Sequence, residues 1–187
     1  WDEWDNGDGP IGQRYGATIG RYALFKTNVL DSFKKDPYGR RKICSLWQET
    51  DLRETPGLAP CAFMTIWNVR DGFLDMMLVQ RSGDMLTASG PGGINEIQYA
   101  ALLMMTAADT GLTPGIFTHI VANEHIYDRH INAAYEMLRR YDEFYPEGSQ
   151  VKSPNPSLFL NTDRTSNFYE FTIDDFTMFA YNSIKPQ

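Results

Sequence analysis

The sequence has few cysteines and no long apolar run, and these shortages exclude several classes of protein. Only 2 of its 187 residues are cysteine, too few for a disulfide-rich secreted domain, so a reducing cytoplasm is the expected setting. No window approaches 18 consecutive apolar residues, so no membrane-spanning helix is expected. Basic residues are also fewer than acidic ones: 17 Lys and Arg against 24 Asp and Glu give a net charge of −7. This charge disfavours a protein that coats nucleic acid, but it permits a local arginine cluster around a phosphate.

The residues that are present are typical of one folded domain over residues 1–187. Hydrophobic residues make up 42% and aromatic residues 13% of the chain, enough for a sizeable core. Two apolar runs at 62–69 and 73–80, joined through Asp71 and Gly72, predict an antiparallel hairpin. Further strands are expected at 42–47, 116–122, 158–160 and 169–173.

Three helices are predicted from the apolar spacing. One includes residues 22–33 and ends before Pro37; a second, at 96–110, is apolar all round and so should be buried, ending at Gly111. A third, amphipathic helix is expected at 127–140, followed by a polar surface segment at 142–157. The predicted class is α+β, with a mixed or antiparallel sheet covered by helices.

Cys61 is the candidate nucleophile, because it follows Leu58-Ala-Pro at the start of a predicted strand and could face a cleft. A small buried apolar side chain is the alternative interpretation, and it is the preferred one for Cys44, which lies inside an apolar strand. The three histidines do not have zinc-ligand spacing, so no metal site is predicted. A cysteine hydrolase would need a histidine hydrogen-bonded to Cys61.

Arginines supply the second chemical signal. Arg40 and Arg41 follow a turn, and Arg81 with Ser82 closes the second strand of the hairpin. Paired guanidinium groups and a hydroxyl can bind phosphate oxygens, and a guanidinium near Cys61 would also favour its thiolate. Surface salt bridges are the alternative interpretation of the same arginines.

Six short segments together resemble the thymidylate synthase family. They occur in the family's order and with nearly its spacing, and the resemblance extends from Trp1 to about Tyr181. The segments are residues 36–41 (DPYGRR), 58–61 (LAPC), 80–84 (QRSGD), 95–100 (NEIQYA), 111–119 (GLTPGIFTH) and 125–127 (HIY).

The resemblance implies a folate-dependent enzyme that acts on a pyrimidine deoxynucleotide. In this family a cysteine thiolate adds to C6 of the base, and C5 then accepts a one-carbon unit from 5,10-methylenetetrahydrofolate. Cys61 would be that nucleophile, while Arg81 and Ser82 would hold the phosphate and Arg81 would stabilise the thiolate. The resemblance also implies a homodimer formed through a sheet face, in which Arg40 and Arg41 reach the partner's site. His125 and Tyr127 would bind the sugar 3′-hydroxyl. Asp84 would contact the pterin, and Trp1 and Trp4 would lie beside the folate.

Asn95 matches the position that reads the base in the family. A side-chain amide can donate to O4 of uracil and accept from its N3–H at the same time, whereas cytosine would be read better by an aspartate. The expected substrate is therefore deoxyuridylate (dUMP).

Three departures from the family pattern suggest a change of product. The loop at 88–95 (ASGPGGIN) is longer and richer in glycine than usual, the segment at 9–16 is altered, and the C-terminal closing segment is short. Because these changes fall near the folate, the main prediction is a deoxyuridylate hydroxymethylase of the kind found in phages with modified DNA. Thymidylate synthase proper is the alternative, and a nucleotide-binding relative without activity is a third possibility, which Cys61 argues against. The family's N-terminal portion, with its proton-transferring glutamate, has no counterpart here; Glu3 and Glu96 are poorly placed for that role.

Overall fold

The computed structural model describes residues 11–54, 57–89, 93–147 and 156–181. Trp1, Trp4, part of the glycine-rich loop and the last six residues lie outside these ranges. The helices and strands, in chain order, are α1 (Gly16–Tyr22), α2 (Asp31–Lys35), β1 (Lys42–Ser45), α3 (Glu49–Glu54), β2 (Ala62–Arg70), β3 (Phe73–Gln80), β4 (Gly83–Asp84), α4 (Ile94–Thr110), β5 (Thr113–Val121), β6 (Glu124–His125), α5 (Ile131–Phe144), β7 (Ser157–Leu160) and β8 (Phe176–Phe179).

The main sheet has four strands in the order β1-β2-β3-β5, with two antiparallel pairings followed by a parallel one. The predicted hairpin is confirmed as β2 and β3. Its two-residue turn places Asp71 at φ 51° and Gly72 at φ 81°, the left-handed pair that matches the twist of the flanking strands. Helix α4 forms the crossover to β5 and ends at Gly111, whose φ of 68° gives the left-handed cap predicted there. The mixed sheet with helices confirms the predicted α+β class.

One face of this sheet forms the core, and no other described part of the chain covers the opposite face. Trp67, Leu74 and Leu78 point inward and are almost fully buried against α4 and a helical segment that begins with a π-helical turn, Lys26–Leu30, and continues into α2. Strand residues alternate between the faces, so Ile43 and Ile116 point outward and are 40% and 58% exposed.

Helix α4 is less buried than its sequence predicts. Only Tyr99, Leu103, Thr106 and Ala107 are buried, whereas the side chain of Ile97 is 41% exposed. The apolar sequence therefore misidentifies a helix with one buried face as a helix buried all round. Helix α5 begins at Ile131, later than predicted, because an extended Tyr127 and a 3₁₀ turn precede it, and it continues to Phe144, into the segment expected to be polar surface.

The strand predicted at 169–173 is wrong. Two 3₁₀ turns occupy this region, and the strand that pairs with β7 is β8, further along the chain. Polar caps explain the difference: the Asn167 side chain accepts from the Tyr169 N–H, and Thr172 and Asp175 form a capping box. These local hydrogen bonds outcompete the strand propensity of the aromatic residues.

Two buried charged side chains hold the segments that flank the sheet. Asp51 is 1% exposed and accepts hydrogen bonds from the side chains of Thr18, Arg21 and Tyr22, which joins α3 to α1. Lys42 is fully buried, and its ammonium donates to the carbonyls of Asp36 and Gly39. Within the described ranges, no helix has the length and apolar character needed to cross a membrane.

Candidate active site

Cys61 and Arg81 lie opposite each other at the open end of the β2–β3 hairpin. The Arg81 N–H donates to the Cys61 carbonyl at 2.9 Å. The Arg81 guanidinium turns back over the same segment: its Nε donates to the Pro60 carbonyl at 3.0 Å and its Nη2 to the Ala59 carbonyl at 2.8 Å. These two bonds fix the guanidinium plane and leave its other N–H donors available for an anion.

Tyr15 completes this corner of the site, and sequence analysis assigned it no role. Its hydroxyl oxygen accepts a hydrogen bond from the Cys61 N–H at 3.1 Å. Burial raises the pKa of Tyr15 above its ordinary value, so the phenol is protonated at neutral pH. The only signal in the sequence was its position in the altered segment at 9–16.

The structure separates the two cysteines. Cys44 is buried, and burial raises the pKa of its thiol to about 11, which makes it inert at neutral pH, as predicted. Cys61 is half-buried and can be reached. None of the three histidines hydrogen-bonds to Cys61 within the described part of the chain, so the hydrolase alternative gains no support there. The described residues also contain no group of side chains that could hold a metal ion.

Asn95, in the first turn of α4, is held by a buried side chain that sequence analysis did not single out. Gln80 is 0% exposed, and its Oε1 accepts from Asn95 Nδ2 at 2.9 Å. The same oxygen lies 3.1 Å from His119 Nε2, and Gln80 Nε2 donates to the Ser82 carbonyl at 2.9 Å. The hydroxyl-bearing Ser82 is therefore tied to Asn95 through one glutamine.

Asp84 and His125 are neighbours because β4 and β6 pair in parallel, with these two residues in register. The Asp84 carboxylate accepts from the Leu86 N–H at 3.2 Å and the Thr87 hydroxyl at 2.9 Å. It also lies 3.2 Å from Nδ1 of His130. The two residues predicted to hold the sugar are adjacent: the rings of His125 and Tyr127 meet edge to face at 4.8 Å.

Arg40 and Arg41 are not near Cys61. Both are exposed, and neither forms an ion pair or hydrogen bond with any residue in the described ranges, so the salt-bridge interpretation finds no support there. Lys42 pairs with Trp67, which places Arg41 opposite Asn68 at the far end of β2. Asn68 is seven residue steps along the chain from Cys61, a distance of about 23 Å in a strand.

Comparisons with known proteins identify the family of the chain. The thymidylate synthase family model matches residues 1–187. The chain is 42% identical to the thymidylate synthase of Lactococcus lactis subsp. lactis and 41% identical to that of Streptococcus pneumoniae, in each case over the whole chain and 64% of the relative. A solved structure of thermostable thymidylate synthase A from Bacillus subtilis superposes with a TM-score of 0.77 at 30% identity, covering 95% of this chain and 62% of that one.

Cys61, Arg81 and Asn95, which the sequence predicts to be catalytic, are thus held by hydrogen bonds at one end of the main sheet. The chain belongs to the thymidylate synthase family. It spans about 64% of the length of the relatives it matches.

Proposed function

We propose that residues 1–187 form one catalytic domain of a thymidylate synthase, which converts dUMP to thymidylate with 5,10-methylenetetrahydrofolate as its one-carbon donor, in the cytoplasm. The observation that carries this proposal is the placement of a half-buried thiol, Cys61, across the hairpin end from the Arg81 guanidinium. The thiolate is the reactive form of a cysteine nucleophile. Both cysteines are free thiols, which agrees with a reducing compartment.

The chain offers candidate residues for the nucleophilic addition and for holding the nucleotide. The Cys61 sulfur forms a bond to C6 of the uracil ring, and electron density moves to C5, which then bonds to the one-carbon unit. Arg81 and Ser82 bind the phosphate, while His125 and Tyr127 hold the sugar. Water takes up the C5 proton, the bond between the one-carbon unit and N5 of the folate breaks, hydride from the folate reduces that unit to a methyl group, and the Cys61 sulfur then leaves C6.

The folate supplies the one-carbon unit and the hydride that reduces it to a methyl group. Asp84 fits the pterin, because its carboxylate is held by the Leu86 N–H and the Thr87 hydroxyl, and a carboxylate accepts paired N–H donors. Trp1 and Trp4 remain proposed residues on the folate side, outside the described ranges.

A homodimer explains where Arg40 and Arg41 act. They are about 23 Å along the sheet from Cys61 in the same chain, too far to bind the same phosphate. They lie beside the uncovered sheet face, where Ile43, Ile116 and Ile120 are 40–58% exposed. A two-fold dimer that buries this face would bring each arginine pair toward the partner's site.

Methylation replaces hydroxymethylation as the proposed outcome. The departures in the 88–95 loop and the C-terminal segment favoured a hydroxymethylase, but the relatives and the solved structure named above are thymidylate synthases. The family model that matches residues 1–187 is also described as thymidylate synthase.

The test is a product assay of the full-length protein with dUMP and 5,10-methylenetetrahydrofolate. Nucleotide products are read by mass, and dihydrofolate by absorbance. We expect thymidylate and dihydrofolate in equal amounts. A product one oxygen heavier than thymidylate, without dihydrofolate, would restore the hydroxymethylase, and no product would leave only nucleotide binding.

A further inference from the structure

Residues 40–42 are three consecutive basic side chains in two different environments. Arg40 and Arg41 are exposed, whereas Lys42 is 0% exposed. Lysine is almost never fully buried unless its ammonium has partners. Lys42 and Ile43 are the first two residues of β1 and point to opposite faces of the sheet, Lys42 toward the core. The burial of Lys42 therefore calls for a reason that the exposed arginines do not.

The ammonium of Lys42 is held by its own chain. Its Nζ donates to the Asp36 carbonyl at 2.6 Å and to the Gly39 carbonyl at 2.7 Å. It also lies 4.7 Å from the centre of the Phe33 ring, within the range of a cation–π contact. Hydrogen bonds from a charged donor are stronger than those between neutral groups, so Lys42 holds the turn before β1 firmly.

These contacts close a ring of covalent and hydrogen bonds that contains the two arginines. At one end of the Arg40-Arg41 backbone is Gly39, whose carbonyl is bonded to Nζ, and at the other end is Lys42 itself, which begins β1. The turn is also closed by a hydrogen bond from the Gly39 N–H to the Asp36 carbonyl at 3.1 Å. The ring fixes the backbone of Arg40 and Arg41 and uses neither guanidinium group.

A fixed backbone matters for a ligand that binds both arginines. Ordering long side chains and a mobile loop on binding costs free energy, and a segment that is ordered beforehand reduces this cost. An apolar side chain of the same length would fill the space of Lys42 but would not hold the turn. The charge of Lys42 therefore contributes something that packing alone does not require.

We propose that Lys42 is a positioning residue for Arg40 and Arg41 and that it acts on the active site of the partner subunit. The proposal rests on the proposed function, in which the arginine pair of one chain binds the phosphate of the dUMP held by the other chain. Within one chain the pair is about 23 Å along the sheet from Cys61. Loss of the Lys42 ammonium therefore weakens phosphate binding in the partner's site and leaves the site of its own chain intact.

Lys42→Met tests this role, because methionine keeps the length of the side chain and removes the ammonium. In the homodimer we expect the KM for dUMP to rise about tenfold with kcat unchanged, because binding alone is weakened. Lys35→Met is the control: it removes the same charge from an exposed position nearby and should change neither constant. An unchanged KM in folded Lys42→Met would overturn the proposal while the proposed function stands.

Mixed dimers, purified through a different affinity tag on each chain, separate positioning from a general loss of structure. When Lys42→Met is paired with Cys61→Ser, the one working site combines the thiol of the first chain with the arginines of the second, where Lys42 is intact. Its KM for dUMP should equal the unmodified value. Pairing the unmodified chain with a chain that has both substitutions should raise the KM again. A raised KM in the first dimer would overturn the proposal, because Lys42 would then act within its own chain.

Gly39→Ala disturbs the same ring and keeps the buried charge. A Cβ on residue 39 would lie 3.2 Å from Lys42 Nζ and 2.6 Å from Asp36 Oδ2, so the contacts around the ammonium must shift. The KM for dUMP should rise here too. If Lys42→Met does not fold, Gly39→Ala carries the test, and an unchanged KM in it would overturn the proposal. If the unmodified protein neither binds dUMP nor makes thymidylate, the proposed function fails and this proposal fails with it.

Discussion

The Arg81 backbone amide donates to the Cys61 carbonyl across the end of the hairpin, and the Arg81 side chain then binds the two carbonyls that precede Cys61. Arg81 thus pairs with Cys61 through its backbone and holds the two preceding residues, Ala59 and Pro60, through its side chain. Any shift of register between β2 and β3 would separate the thiol from the guanidinium.

Cys61→Ser should abolish turnover while dUMP binding changes less than about threefold, because a hydroxyl does not ionise near neutral pH and the phosphate contacts stay in place. Single-turnover assays and equilibrium binding measure the two effects. Cys44→Ala is the matched control and should retain turnover. Failure of Cys61→Ser to fold would instead identify Cys61 as a packing residue.

Tyr15→Phe should lower kcat by about tenfold to a hundredfold with little change in KM for dUMP. The variant removes only the oxygen that accepts from the Cys61 N–H, so the thiol loses a neighbour that orders it during the reaction. Tyr38→Phe, on a side chain that is 70% exposed, should leave both constants unchanged. A matching rise in KM would assign Tyr15 to substrate binding.

Mixed dimers test the composite site. Cys61→Ser and Arg41→Ala should each be inactive or nearly so, and an equal mixture should recover up to about a quarter of unmodified activity, because half of the dimers are mixed and each has one intact site. The measurement is specific activity after subunit exchange. An inactive mixture whose subunits have exchanged would place both residues in the site of one chain.

Asp51→Ala should lower the free energy of unfolding by about 2–4 kcal/mol, because it leaves the hydroxyls of Thr18 and Tyr22 without their acceptor. Urea unfolding measures the change. Glu54→Ala is the control, since Glu54 is 50% exposed and its partner among the described residues is Arg21, which is itself 39% exposed. Similar losses in the two variants would show that Asp51 contributes no more than a surface charge.

The lowered pKa of Asp175 makes the stability of the fold depend on pH in the acidic range. Arg164 and the Thr172 N–H lower the pKa of Asp175 to about 2, from an ordinary value of 3.8. Between these values the unfolded chain takes up the proton first, so the stability due to Asp175 is complete above about pH 4 and is lost as the pH falls toward 2. Asp175→Asn should therefore unfold at a lower temperature than the unmodified protein at about pH 6, with a difference that narrows near pH 3. The exposed neighbour variant Asp174→Asn should follow the unmodified protein throughout.

The strands were predictable where one physical signal dominated. Residues 62–69 and 73–80 combine β-favouring side chains with an Asp-Gly turn, and β2 and β3 form there. Residues 169–173 have the same aromatic character, but Asn167 and Asp175 cap turns instead. A pattern of apolar residues cannot reveal which polar side chain will find a backbone partner.

The residues of the candidate site could be predicted from the sequence, but the hydrogen bonds that connect them could not. Cys61, Arg81, Asn95 and Asp84 were named from short segments, and the structure brings Cys61 to Arg81 and Asp84 to His125. Gln80 and His119 were missed as positioning groups, because a buried glutamine has a role only through partners brought by other elements. Arg40 and Arg41 are separated from Cys61 because of the register between β1 and β2, which cannot be read from the sequence.

The two-residue turn at Asp71 and Gly72 also bears on the order of assembly. A hairpin closes in about 1–10 μs without waiting for the rest of the chain, so Cys61 and Arg81 can meet early during folding. Asn95 and Asp84 join them only after the parallel pairing with β5 and β6, which must wait for the α4 crossover. Cys61 and Arg81, which carry the proposed chemistry, are therefore brought together quickly by local contacts. Asn95 and Asp84, which select the ligand, reach the site more slowly through long-range contacts.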